Sequence, residues 1–180
     1  MIVKLKNVRL AFPSIFVAKA MQPGGEPRFS ATFIFAPDHP AHQEIKDVIL
    51  HAAKGKWAGK WEETLKAIKA KGDICLRDGA EKADFDGFDG NMFVGASTKD
   101  RPAVVDRDRT PLILADGRPY GGCQVNAIIN IWAQDNEFGK RINAGLSGVQ
   151  FHSDGESFGG ARPARAEDFE IVEDDEESII

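Results

Sequence analysis

Every second side chain in residues 123–133 is apolar, and the positions between them carry amides, Ile128 and Trp132. A period of two is that of a β-strand with one face in a core and the other towards solvent. A turn at 135–139 leads into residues 140–152, which we predict to form the partner strand of a hairpin. The strongest pattern in the chain therefore predicts a fold built on antiparallel β-structure.

Shorter strands and two helices are predicted in the remainder of the chain. The strand patterns fall at residues 2–12, 28–36, 91–98 and 102–106. Between the second and third strands, apolar residues recur every three to four positions, as on helices packed against a core. Asp38 can cap the first helix, which Pro40 opens, whereas Trp57 and Trp61 lie on the apolar stripe of the second and are interpreted as core residues. We predict a mainly β fold with a helical insertion, arranged as a small closed antiparallel barrel.

The first strand changes phase near Asn7. Leu5 lies on the apolar face before it, whereas Val8, Leu10 and Phe12 occupy the apolar face after it. One extra residue produces such a switch, and a β-bulge is a usual device for coiling a strand around a small barrel. We therefore predict a bulge at Asn7, with the three later residues pointing inward.

Charge is divided unevenly along the chain. Residues 167–180 hold eight carboxylates and no basic side chain, so this segment carries −8. All 23 Lys and Arg precede it and face the other 20 of the 28 acids, which leaves the body at about +3. A run of like charge repels itself and usually stays disordered. We predict one domain over 1–166 and a disordered acidic tail over 167–180.

Other features restrict the class of protein. No stretch approaches the ~20 apolar residues of a membrane span, and the first residues lack the apolar block of a signal peptide. Cys75 and Cys123 have neither a metal-binding spacing nor a disulfide framework. These features favour a reduced cytoplasmic protein without a membrane partner.

Aromatic side chains on the solvent side of strands are candidates for base stacking. Trp132 lies among amides on the outer face of its strand, and Phe93 lies on the outer face of residues 91–98. Every nucleobase has a π-face, so an exposed ring can stack on a single strand of any sequence. Tyr120 is the third ring that we assign to this role.

Cations occur close to these strands. The set comprises Arg77, Lys99, Arg101, Arg107, Arg109 and Arg141. Arginine suits phosphate and also stacks on bases. Asp100, Asp106 and Asp108 alternate with several of these residues, so local ion pairing is an equally good interpretation. A body charge of only +3 predicts moderate affinity for nucleic acid, with strong salt dependence.

The chain contains few of the arrangements that catalysis requires. Asp84, Asp86 and Asp89 form a carboxylate cluster, but the closing Glu of a calcium loop is missing. Phosphate loops, dinucleotide fingerprints and nucleophile elbows are also missing. We therefore predict no cofactor, no resident metal and no catalytic residue.

Seven motifs resemble a family of bacteriophage single-stranded-DNA-binding proteins. They are Val8-Arg-Leu-Ala-Phe-Pro-Ser14, Phe29-Ser-Ala-Thr32, Cys75-Leu-Arg-Asp-Gly79, Arg101-Pro-Ala-Val-Val-Asp106, Tyr120-Gly-Gly-Cys-Gln-Val125, Gly145-Leu-Ser-Gly-Val-Gln-Phe151 and Asp154-Gly-Glu-Ser-Phe-Gly-Gly160. They span nearly the whole chain in order. The resemblance implies an OB-fold of the T7-type plan, in which a barrel is followed by an acidic tail. It also implies a tail that competes with DNA and contacts replication or recombination proteins.

The leading hypothesis is a non-enzymatic, sequence-nonspecific single-stranded-DNA-binding protein in the cytoplasm of a phage-infected bacterium. The tail residues assigned to partner binding are Glu173, Asp174, Asp175, Glu176, Glu177, Ile179 and Ile180. Two alternatives stay open: a metal-dependent nuclease using the cluster at Asp84, Asp86 and Asp89, and an adaptor that binds no DNA. Whether the protein forms a homodimer is also open.

Overall fold

The computed structural model describes residues 1–159 and 164–173. Within these residues, seven strands and two α-helices follow one another. In order they are β1 (Ile2–Ala20), β2 (Pro27–Phe35), α1 (Pro40–Trp57), α2 (Trp61–Lys71), β3 (Leu76–Asp78), β4 (Met92–Thr98), β5 (Ala103–Val105), β6 (Gln124–Asn136) and β7 (Gly139–Ser153). None of the helices in the described segments is long and apolar enough to cross a membrane.

Five of these strands close into a barrel in the order β1, β2, β4, β7, β6 and back to β1. The pairs β1–β2, β2–β4, β6–β7 and β1–β6 are antiparallel. The barrel closes through a parallel pairing of β4 with β7, at Ser97 and Gly145. The predicted class, a mainly β OB-fold-like barrel with a helical insertion, is confirmed. The parallel pair that closes the barrel was not predicted, because the alternation of apolar and polar residues does not show which strands pair.

The first strand is irregular at two places. Asn7 has a φ of 52°, and the pairing of β1 with β6 shifts register between Leu5 and Val8, which confirms the predicted bulge. A second irregularity follows at Phe12, whose φ is 47°. The left-handed backbone at Phe12 breaks the alternation, so its ring is 48% exposed and the predicted inward position is wrong.

The barrel interior is filled by the alternating residues of the strands and by α1. On β6, the residues from Val125 to Ile131 that point inward are almost fully buried. Helix α1 begins at Pro40, but its N-cap is His39 rather than the predicted Asp38, because His39 Nδ1 accepts from the Ala41 amide at 3.0 Å. The buried Trp57 at the end of α1 donates from Nε1 to Asp135 at 2.9 Å, which confirms a core role.

A second, smaller apolar cluster lies outside the barrel wall. The loop between β3 and β4 places Phe88 against Ala11, Ile34 and Phe93, on the outward face of β1, β2 and β4. The loop can approach this closely because residue 79 is glycine. A Cβ atom there would stand 1.8 Å from the carbonyl oxygen of Phe88.

We expect Gly79→Ala to lower the free energy of unfolding by at least the ~1–3 kcal/mol typical of overpacking, because backbone rather than a flexible side chain blocks the new methyl group. Gly55→Ala is the matched control. Gly55 lies within α1 with open space around it, so alanine should stabilise the protein by up to about 1 kcal/mol. Urea unfolding of both variants checks the prediction, and equal effects would contradict the packing of this loop.

Candidate nucleic-acid interface

The outer face of the β6–β7 hairpin carries Trp132, which is 41% exposed. Trp132 pairs with Asn143 across the hairpin, and its indole lies over Gly145, the next outward position of β7. A Cβ atom at Gly145 would be 3.2 Å from the indole Cζ3. Glycine at this position therefore lets the indole lie close to the strand, while much of the ring stays accessible.

Small residues continue this surface onto β4. Ser97 pairs with Gly145, and Gly95 lies two residues earlier on the same outward face. The space in front of Gly95 is open, with nothing within 4 Å of the place where a Cβ would stand. We call the surface of Gly95, Ser97, Asn143 and Gly145 the floor. A low floor beside an exposed indole allows a base to stack on Trp132 while the backbone passes over the strands.

Two cations lie at one end of the floor. Arg28 on β2 donates from Nη2 to Ser97 Oγ at 3.2 Å, and Lys99 follows the end of β4. Lys99 pairs with Glu26, in the loop between β1 and β2, at 3.1 Å. In OB-folds this loop and the adjoining strands are the places where oligonucleotides bind. The predicted Lys99 therefore lies beside the floor. Arg101 instead donates from Nη1 to the Phe16 carbonyl oxygen at 2.7 Å, and its guanidinium lies 5.2 Å from the centroid of the buried Phe29 ring.

Another cation lies at the opposite end. Arg141 pairs with Gln134, one outward position beyond Trp132, and its Nη1 is 2.7 Å from Asp73. Arg77 lies on β3, packs close to Gly72 at the end of α2, and pairs with Glu81. Arg141 is therefore next to the floor, whereas Arg77 lies beside the end of α2.

The Lys99–Glu26 ion pair beside the floor is readily exchanged. Both side chains are more than half exposed, and such pairs contribute about 0–1 kcal/mol. A phosphate group can therefore replace Glu26 at small energetic cost.

Local ion pairs of the arginines with Asp106, the alternative raised by the sequence, do not form in the described part of the chain. The Asp106 carboxylate accepts from Arg118 at 2.7 Å rather than from the side chain of a neighbouring arginine.

Residues 1–180 match a family model that is described as the single-stranded-DNA-binding protein of Enterobacter phage Enc34. The chain belongs to this family. Protein p50 of Acyrthosiphon pisum secondary endosymbiont phage 1 is 40% identical over 181 residues, which cover 99% of this chain and 97% of p50. The family resemblance identified from the motifs is thereby confirmed.

Solved structures agree with this assignment. The single-stranded-DNA-binding protein from bacteriophage Enc34, in complex with single-stranded DNA, superposes with a TM-score of 0.74 at 32% identity, over 88% of this chain and 89% of that one. The single-stranded-DNA-binding protein gp2.5 of bacteriophage T7 has a TM-score of 0.57 at 18% identity, over 89% and 90% of the two chains. This second similarity shows the shared fold alone.

Two of the predicted stacking rings are buried in this member of the Enc34 family. Phe93 does lie on the outer side of β4, but Phe88 covers it, with ring centroids 5.2 Å apart, and only 4% of it is exposed. Tyr120 is buried in the core and donates its hydroxyl to Asp154 Oδ1 at 2.7 Å. Burial chiefly raises the pKa of Tyr120. Neither ring is accessible to a base, and both assignments are corrected.

The remaining predicted cations lie away from the floor. Arg107 and Arg109 are exposed in the loop after β5, and Arg109 adopts a φ of 70° in the turn. Arg107 lines a surface cavity that also contains Arg118 and Arg165. The predicted basic set is therefore spread over several parts of the surface rather than gathered at the floor.

Several residues at the surface were not predicted as site residues. Arg28 extends the polar face of β2 by one position, so the alternation of that strand contained the signal. Phe12 and Phe85 form an edge-to-face pair at 5.2 Å, and Lys82 lies 5.2 Å from the Phe12 ring. Phe138 is 80% exposed at the tip of the β6–β7 hairpin. Phe138 lies in the turn predicted at 135–139, so its exposure had a sequence signal, whereas Phe12 lies on a face that alternation predicts to be buried.

The carboxylate cluster does not assemble into a metal site. Asp84, Asp86 and Asp89 are exposed in the loop before β4, and no group of three potential metal ligands is close enough to hold an ion within residues 1–159 and 164–173. Burial raises the pKa of the Cys75 thiol to about 12 and that of Cys123 to about 11. Both thiols are therefore protonated at neutral pH.

The tail begins close to the barrel. Arg165 is buried, and Glu167 is 3.0 Å from Arg118. Glu173 is exposed, whereas Asp174, Asp175, Glu176, Glu177, Ile179 and Ile180 lie outside the described residues. The division between residues 166 and 167 and the partner-binding role of the tail stay predictions.

The Asp106–Arg118 pair predicts a loss of stability in acid. The hydrogen bond from Arg118 is the chief reason that the pKa of Asp106 is lowered in the folded protein. Its contribution is therefore complete above about pH 4, the ordinary aspartate value, and is lost as the pH falls through the lower folded-state value. Asp106→Asn should reduce the difference between the free energies of unfolding that urea titrations give at neutral pH and in acid. The exposed Asp100→Asn is the control, and identical acid sensitivity in both variants would contradict the role of the pair.

Proposed function

We propose that this chain binds single-stranded DNA without strong sequence preference, with bases stacked on Trp132 and the backbone passing over the floor. The observation that carries this proposal is the exposed indole over Gly145, between cations at the two ends of the same surface. Family membership supports it, because a relative at 32% identity was solved in complex with single-stranded DNA. Stacking on an indole accepts the π-face of every base, which suits binding to any sequence.

The setting that fits this activity is phage DNA replication or recombination in the cytoplasm of the infected bacterium. Single strands arise in both processes and need a protein that covers them irrespective of sequence. The matched family is described by DNA binding rather than by a catalysed reaction. A non-enzymatic role is thus the proposal that we favour.

The acidic tail is proposed to compete with DNA and to recruit partner proteins. Its charge of −8 opposes a body of about +3, and Glu167 already forms an ion pair with Arg118. A chain segment with the charge of DNA, tethered to the same domain, has a high local concentration at any basic surface. The apolar side chains at positions 179 and 180 would supply the contact that a partner protein recognises.

We expect Trp132→Ala to weaken binding to an oligo-dT strand by about 1–3 kcal/mol, the usual contribution of one base–aromatic stack. Phe85→Ala is the matched control, because its ring is 51% exposed but lies between the carboxylates Asp84 and Asp86. Fluorescence anisotropy with a labelled strand measures both. Equal affinities for the wild type and Trp132→Ala would reject stacking at this position.

We expect deletion of residues 167–180 to tighten oligo-dT binding at low salt, because an internal competitor is lost. The difference should shrink as salt screens the tail from the body, with a Debye length of only about 8 Å at physiological ionic strength. Anisotropy titrations at two salt concentrations test this. Unchanged or weaker binding by the truncated protein would exclude competition by the tail.

A further inference from the structure

A surface cavity of about 360 Å³ lies at the far end of the barrel from Trp132. It is lined by the last residues of β7, including Phe151, whose partner on β6 is Val125. Trp132 lies seven positions after Val125 on β6, a distance of about 23 Å at the usual strand rise. The cavity is therefore separate from the floor, and nothing in the stacking proposal uses it.

Arg165 is the buried cation of this cavity. Only 6% of the residue is exposed, and its guanidinium lies 5.2 Å from the Phe151 ring centroid. Its Nη2 donates to Asp154 Oδ1 at 2.6 Å. Its Nε, in contrast, is buried without a hydrogen-bond partner in the part of the chain that the structure describes. A buried unsatisfied donor on a guanidinium indicates capacity for a further acceptor.

Arg118 is the second fixed cation. It holds Asp106 at 2.7 Å through Nη2 and Glu167 at 3.0 Å through Nη1. Glu167 also lies 3.6 Å from Arg165 Nη1, so one carboxylate is shared by two arginines. The two arginine side chains are 17% and 7% exposed, whereas that of Glu167 is 59% exposed. The arginines are thus held in place, and Glu167 can leave.

Arg107 supplies a third cation. It lines the same cavity, and no hydrogen bond or ion pair of its guanidinium is recorded within residues 1–159 and 164–173. Three arginines face four carboxylates in the cavity lining while Glu167 is present. When Glu167 leaves, three arginines face three carboxylates. An incoming monoanion then restores the original net charge of the cavity lining.

We propose that this cavity binds a phosphate group of the single-stranded DNA backbone, and that Glu167 occupies its place when DNA is absent. The inference rests on the proposed function and extends it to a second contact point. Arginine side chains present parallel N–H donors that match the oxygens of a phosphate. The first carboxylate of the tail and a phosphate of the DNA would then compete for one site. This competition would add to the general repulsion between the negative charges of the tail and of the DNA.

The test compares Glu167→Gln with Glu170→Gln in the full-length chain. Each variant removes one tail charge, but within residues 1–159 and 164–173 the exposed Glu170 side chain forms no hydrogen bond or ion pair. We expect Glu167→Gln to tighten oligo-dT binding about three- to fivefold, the range for loss of one exposed ionic competitor. Its salt dependence should steepen by about 0.7, because the entering phosphate no longer releases a carboxylate that takes up a cation in its place. Equal effects of the two variants overturn the proposal.

Arg107→Gln provides a second arm that does not disturb a buried group. In that background the gain from Glu167→Gln should fall below about twofold, because the cavity then lacks one of the cations that hold the phosphate. A gain of the same size in both backgrounds overturns the site. Inorganic phosphate at millimolar concentration distinguishes the source of the anion: thermal stabilisation of Glu167→Gln by phosphate, with no change in DNA affinity, assigns the cavity to the free ion. If the wild type itself binds no oligo-dT, the proposed function fails instead.

Discussion

The parallel pairing of β4 with β7 is the contact on which the rest of the structure depends. It turns an open sheet into a barrel, and it does so at Ser97 and Gly145, the centre of the surface that we assign to DNA. Without it, Gly95 and Trp132 would lie on separate parts of a sheet. Closure therefore creates the core and the floor in a single step, and both ends of the floor acquire cations from elements that are distant in sequence.

The alternation of apolar and polar residues along individual β-strands allowed much of the barrel to be predicted. The bulge at Asn7, the inward face of β6 and the exposed Trp132 all follow from a period of two. Phe93 shows the limit of that reasoning, because it lies on the predicted side of β4 and is still buried. What covers it is Phe88, from a loop with no periodicity, and a single sequence does not reveal where such a loop will pack.

The binding residues were harder to predict than the fold for an electrostatic reason. The arginines predicted as one set separate in space: Arg101 contacts the Phe16 carbonyl oxygen, Arg107 lines the cavity, and Arg141 lies next to the floor. The partner of Asp106 is Arg118, twelve residues away, rather than the arginine next to it. Charge patterns along the chain identify candidate cations, but only the topology groups them into sites.

The central claim is preference for single strands, and it is tested most directly by anisotropy titration of the full-length protein with a labelled oligo-dT and with a duplex of the same length. Exposed bases can stack on Trp132, whereas paired bases cannot reach it. We expect clear preference for the single strand, with affinity that falls steeply as salt increases. Equal affinity for the two forms would contradict stacking as the basis of binding, and no binding to either at any salt concentration would favour the adaptor hypothesis.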